Sequence, residues 1–218
     1  MNQHEIDAVF ELLEAAADPE KAARMSAYLK DQFAFLGIQK PERAALTKDF
    51  LNRKKKETMD WEFAYACYAR PQREFHYLAV DYVLQMKDKL AAQDVSHIEA
   101  LITQNSWWDT VDMFNIPLGV LFLKYPQTGE TIRRWISSEN LWLRRMSVTF
   151  QLHLKGKTDT AFLADAIESN LRSKEFFINK AIGWALREYS KTSPEWVRSF
   201  IASHPLAPLS VREGSKSL

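Results

Sequence analysis

The sequence predicts an all-α fold, a HEAT-like helical-repeat α-solenoid of antiparallel helix pairs. Three observations carry that prediction. Only six glycines and eight prolines punctuate 218 residues, too few for the turn-rich strands of a sandwich or barrel. The composition is 46% hydrophobic and 26% charged, a globular rather than a disordered balance. Apolar residues also return at fixed places every 34 residues, the mark of a repeat array.

The elements follow in order. Residues 1–38 read as N-terminal capping helices, with Ile6, Val9, Phe10 and Leu13 on one face of the first and Met25, Tyr28, Leu29 and Phe33 in the second. Residues 39–218 read as repeats starting at Lys40, Glu74, Trp108, Trp142 and Phe176, so that the whole chain, 1–218, forms a single repeat domain. The sixth residue after each start is Leu46, Val80, Phe114, Val148 or Ile182, and the tenth is Phe50, Leu84, Leu118, Leu152 or Leu186. A second apolar set (Ile98, Ile132, Ala166, Phe200) lies further on in each unit. Breakers such as Lys124-Tyr125-Pro126, Lys155-Gly156-Lys157 and Thr192-Ser193-Pro194 separate the two sets, so each unit reads as two helices. Pro117 is the irregularity, and its ring predicts a break near Ile116. The tetratricopeptide consensus does not fit, because its Trp and Gly-Tyr positions are unfilled.

Charge and composition exclude several function classes. Cys67 is the only cysteine, which removes a disulfide framework and a cysteine-ligated zinc site. The five histidines have no pair at metal-binding helical spacing, so no metal and no other cofactor is expected. Glu5, Asp7, Glu11 and Glu14 interrupt the N-terminus where a leader would be basic and then apolar, and no run is long enough to cross a bilayer. The expectation is a cytoplasmic monomer with no membrane or obligate protein partner. Residues 1–38 carry a net −4 and the remainder +5, a mild basic bias that permits an anionic partner.

On a wheel of about 100° per residue, the apolar positions of each first helix make a core face. The opposite side carries Lys40, Arg43, Thr47 and Lys48, then Glu74, Tyr77, Asp81, Tyr82 and Gln85. Further along it come Trp108, Asp112 and Asn115, then Trp142, Arg145, Thr149 and His153, and finally Phe176, Lys180, Trp184 and Arg187. Successive repeats align such faces, so the expectation is one concave surface where bases and aromatic rings interleave, as a phosphate backbone requires. The plainer reading of Arg145, Lys180 and Arg187 is solvated helix charge, with Asp112 an ion-pair partner for one of them, and a tryptophan is more often core than platform. Trp61, Trp107, Trp135 and Trp196 fit that core role. Asp112 stands out, four residues after Trp108 and so on its face. A carboxylate in a basic stripe makes sense where positive charge develops, because it stabilises that charge and orients an attacking water.

The segments Ser106–Asp112, Asn140–Arg145 and Lys174–Trp184, with Phe35–Gln39 before Pro41-Glu42-Arg43 and Leu206–Ser210 near the end, resemble the AlkD family of DNA alkylation repair glycosylases. The resemblance spans essentially the whole chain. It implies HEAT-like repeats that excise N3- and N7-alkylated purines such as 3-methyladenine and 7-methylguanine from duplex DNA, without cofactor and without flipping the base. By the same resemblance, Asp112 matches the catalytic aspartate, Trp108 and Trp184 the tryptophans that hold the damaged nucleotide's sugar, and Arg145 the arginine near the lesion. Tyr28 matches a DNA-contacting tyrosine. Gln39, Lys40, Arg43, Lys48, Lys180 and Arg187 are the remaining candidate DNA contacts. The alternative is a non-catalytic, structure-specific DNA-binding protein of the same fold. A protein-interaction scaffold would show an apolar or acidic surface instead.

Overall fold

Local side-chain chemistry marks where the helices begin. Asn2 and Glu5 form a reciprocal capping box at the start of α1 (Gln3–Ala15), and the Asp18 carboxylate accepts from the Glu20 and Lys21 N–H groups opening α2 (Pro19–Tyr28). Asp60 caps α4 (Trp61–Tyr68) in the same way, after the uncapped α3 (Lys40–Lys54). The computed structural model describes residues 1–218 and is all-helical, apart from one isolated parallel bridge between Ala34 and Gln72. The chain continues through α5 (Arg73–Met86), α6 (Val95–Thr103), α7 (Trp108–Val111), α8 (Asn115–Lys124) and α9 (Thr128–Trp135). It ends with α10 (Leu141–Thr149), α11 (Thr160–Glu168), α12 (Phe176–Ser190), α13 (Pro194–Ser203) and α14 (Pro208–Gly214). The first helices of the five repeats thus start at Lys40, Arg73, Trp108, Leu141 and Phe176, each within one residue of the 34-residue spacing. No helix is long and apolar enough to cross a membrane.

These helices gather into two compact units, Met1–Leu90 and Ala91–Leu218. In the first, Phe10 meets Phe75 edge-on at 4.8 Å, and Phe63 contacts Phe50 at 5.2 Å and Tyr82 at 5.1 Å. Two buried charges tie its elements together. Lys54 of α3 donates to Glu5 at 2.7 Å and to Glu57 at 2.9 Å. Burial works against the charge of Lys54, but the two carboxylates outweigh it and hold the ammonium above its ordinary pKa. Glu74 is fully buried and accepts from the Leu36, Gly37 and Ile38 N–H groups at 2.8, 2.9 and 3.1 Å, so it belongs to the interior and not to the outward face of the wheel. Gly37 is required in that loop, because a Cβ there would lie 2.0 Å from the Asp18 carbonyl oxygen at a φ of +96°. Tyr28, grouped with the apolar residues of the second helix, is 75% exposed; Leu29 beside it takes the buried place.

In the second unit α10 is central, touching α6, α9, α11 and α12. Trp142, Leu143 and every residue from Arg145 to Thr149 are therefore buried, so the side of this helix that the wheel placed outward is packed, and only Leu141 and Arg144 stay partly open. The break caused by Pro117 also falls earlier than expected. Proline has no N–H and its ring crowds the carbonyl four residues back, that of Met113. The chain answers with a 3-10 turn at Asp112–Phe114, closed by the Asn115 N–H on the Asp112 carbonyl, and Pro117 itself sits inside α8. Finally α14 lies along α12, which has Gly183 where a Cβ would come within 2.5 Å of Glu213 Cβ. The Ser210 hydroxyl donates to the Asn179 carbonyl at 2.8 Å and fixes the two helices in register.

Candidate functional site

The 3-10 turn presents Asp112 to Arg145 on α10. Arg145 Nε donates to one carboxylate oxygen at 2.7 Å and Nη2 to the other at 2.8 Å, the parallel two-bond fork that matches a guanidinium to a carboxylate. Its Nη1 donates to the Phe177 carbonyl at 2.5 Å, at the start of α12. Arg145 is 4% exposed, whereas the Asp112 side chain keeps 15% of its surface open. Each carboxylate oxygen has two acceptor directions, and the fork uses one of each. Asp112 is thus fixed in aim with its remaining lone pairs free to receive a water or face a cation.

Aromatic rings pack against this pair. Trp107, Trp142 and Phe177 meet one another at 5.0–5.7 Å, and the Arg145 guanidinium lies 5.9 Å from the Phe177 ring centroid. Trp107 is half-buried in that cluster, Trp142 is buried, and Phe176 beside them is 59% exposed. Trp108 and Trp184 are half-buried. Trp108 lies one turn before Asp112. Trp184 follows Phe177 by seven residues, which places it on nearly the same face of α12 about 10 Å further along. Asn115 is 3% exposed, and its Oδ1 has no hydrogen-bond partner.

A second charged cluster sits on the same unit. Glu213 of α14 is 4% exposed and meets Lys180 at 3.0 Å, Arg187 at 3.4 Å and Lys216 at 2.9 Å. Hydrogen bonds from Lys216 and then Lys180 hold its carboxyl down at about 2.

In the first unit, Arg43 is 5% exposed, with Nε and Nη2 on Asp81 Oδ2 at 3.4 Å and its guanidinium 4.6 Å from the Tyr77 ring centroid. Burial raises the Asp81 carboxyl above its ordinary value, an effect that Arg43 only partly offsets. Gln39 and Lys40 at the start of α3, Lys48 within it, and Tyr28 at the end of α2 are exposed. The fold therefore joins Asp112 to Arg145, and Lys180 to Arg187 through Glu213, and of the three arginines that the wheel had placed outward it buries Arg43 and Arg145. No three His, Cys, Asp or Glu side chains converge where a metal ion would need them.

Sequence reasoning missed Glu213, the Phe177 carbonyl and the Trp107–Trp142–Phe177 cluster. One signal was present. Extending the 34-residue period once more starts a unit at Ser210 and puts Glu213 in the slot held by Arg43 and Arg145, three residues after each start. All three are buried, and each pairs with opposite charge from a neighbouring repeat.

The profile of a family described as "DNA alkylation repair enzyme" matches residues 9–218. Among solved structures, a "Predicted DNA alkylation repair enzyme from Enterococcus faecalis" is 40% identical, with a TM-score of 0.87 over 93% of this chain and 96% of that one. No curated protein matches.

Proposed function

The chain belongs to the DNA alkylation repair enzyme family, and on that footing we propose that it is a DNA glycosylase of the AlkD kind, releasing cationic N3- and N7-alkylated purines from duplex DNA. The observation that carries the reading is the Asp112 carboxylate, forked by a buried arginine and left open along one edge.

The chemistry asks little of the protein. An N3- or N7-alkylpurine already bears positive charge, so its glycosidic bond is weak and the base departs without a proton. No general acid is needed. What remains is an oxocarbenium-like sugar, which one aligned carboxylate stabilises while holding the attacking water. Arg145 moderates that effect. A sugar cation about 4 Å from Asp112 gains about 4 kcal/mol at an effective dielectric of about 20, while the guanidinium some 8 Å away returns about 2 kcal/mol. The net of about 2 kcal/mol, roughly thirtyfold in rate, acts at contact range only. Trp108 and Trp184 supply indole faces to the sugar, and the base stays stacked in the duplex.

Asp112→Asn removes the charge at nearly constant shape. Release of free base from duplex carrying 7-methylguanine is expected to fall about 10²- to 10³-fold, from the lost field together with the lost water positioning, with duplex affinity nearly unchanged. Full release by the variant would dismiss the electrostatic role. Salt-sensitive duplex binding without any release by the wild type would instead make the protein a non-catalytic DNA-binding member of the fold.

A further inference from the structure

Glu213 is a buried carboxylate encircled by three cations, two from α12 (Lys180, Arg187) and Lys216 from the chain's last turn. Pinning α14 to α12 needs no such number of charges, since Gly183 and the Ser210 hydroxyl already bring the helices together. The cations are also not buried as Glu213 is. The side chains of Lys180, Arg187 and Lys216 keep 40%, 29% and 49% of their surface open, against 5% for Glu213. Three bases around one acid leave a net charge of +2 facing solvent. Lys180, Trp184 and Arg187 follow one another at helical spacings of four and three, so the cluster shares a face of α12 with a proposed sugar-holding indole.

We propose that Lys180, Arg187 and Lys216 form a phosphodiester-binding site and that Glu213 is its positioning residue. The proposal rests on the DNA reading above and adds to it a named backbone contact. Long basic side chains lose rotamer freedom when they grip a phosphate. Glu213 removes part of that freedom before DNA arrives, because its two oxygens gather three mobile heads above one spot. It is buried too deeply to face a phosphate itself, so it organises the bases without cancelling them.

The sign of one substitution separates this role from simple charge balance. Glu213→Gln keeps the shape and raises the net charge by one, which by itself tightens binding to DNA. A positioning role predicts the reverse. Affinity for an undamaged duplex falls several-fold, and the slope of log affinity against log salt becomes shallower. Lys216→Gln, at a half-exposed position that the fold tolerates, makes that slope shallower by about 0.9 through loss of one phosphate contact. Glu213→Asp, which retains the charge on a shorter arm, recovers part of the affinity. Binding is measured well below each variant's melting temperature. Tighter binding by Glu213→Gln, or an unmoved slope for Lys216→Gln, overturns the proposal, and the second holds even if the Glu213 variants do not fold. An undamaged duplex involves no chemistry. Cluster-dependent binding without base release would therefore defeat the glycosylase reading alone, and base release with slopes unmoved would defeat this one alone.

Discussion

Arg145 donates from all three guanidinium nitrogens, two to Asp112 and one to the Phe177 carbonyl, so its fork faces the carboxylate and not a phosphate. That geometry holds the Asp112 carboxylate in one orientation. Removing Arg145 strands a carboxylate that keeps only a small opening to water. Arg145→Ala is expected to cost about 3 kcal/mol in urea denaturation, the usual penalty for breaking a buried pair from one side. Arg145→Lys restores the charge without the two parallel donors. Base release by that variant should stay far below wild type, and full recovery would mean that charge matters here and geometry does not. The sequence allowed Asp112 as an ion-pair partner of Arg145, Lys180 or Arg187, but it did not single out Arg145 or show the Arg43–Asp81 pair. Asp112 and Arg145 stand 33 residues apart and Arg43 and Asp81 stand 38 apart, separations that a single-helix wheel does not span.

The helices themselves were more legible than their surroundings. Repeat starts were readable because the apolar positions recur and because Pro194 and the Lys155–Lys157 turn punctuate them. The exposed face was not, since a wheel assumes packing on one side and α10 is packed by four helices. The seven-residue α14 was also missed, too short to show a period and known only by what it covers. Its contact with α12 depends on Gly183, where a methyl group would stand 2.5 Å from Glu213 Cβ and 3.0 Å from the Ser210 carbonyl oxygen. Gly183→Ala should lower stability by about 1–3 kcal/mol in thermal melts, the cost of overpacking a tight helix contact. A variant as stable as wild type would show that α14 moves aside easily. Pro117 works at the same scale. By forcing three residues into a 3-10 turn, it rotates the chain before α8 by about 60° relative to a continuous α-helix, and with it Asp112.

Across the whole chain, the response to acid follows from the carboxylates. Glu213, at about 2, lies far below its ordinary 4.5, and Glu5 and Asp18 are lowered by Lys54 and by the Lys21 N–H respectively. A carboxyl depressed by folding contributes stability above its unfolded value and loses it as pH falls through the folded one. Melting temperature should therefore drop as pH falls from about 4.5 towards 2, and Glu213→Gln should flatten that limb. Asp81, raised by burial, acts in the opposite sense: its protonation favours the folded chain and softens the acid limb. An acid limb unchanged by Glu213→Gln would place the sensitivity elsewhere. The shared slot of Arg43, Arg145 and Glu213 has a last consequence. Three joints, between the first and second repeats, the third and fourth, and the fifth and α14, each have their own polarity, positive meeting negative. The repeats are therefore not interchangeable modules. Excising one member of such a pair of repeats would maroon an ion in the interior, so the matching of those neighbours is written into charge as well as into hydrophobic rhythm.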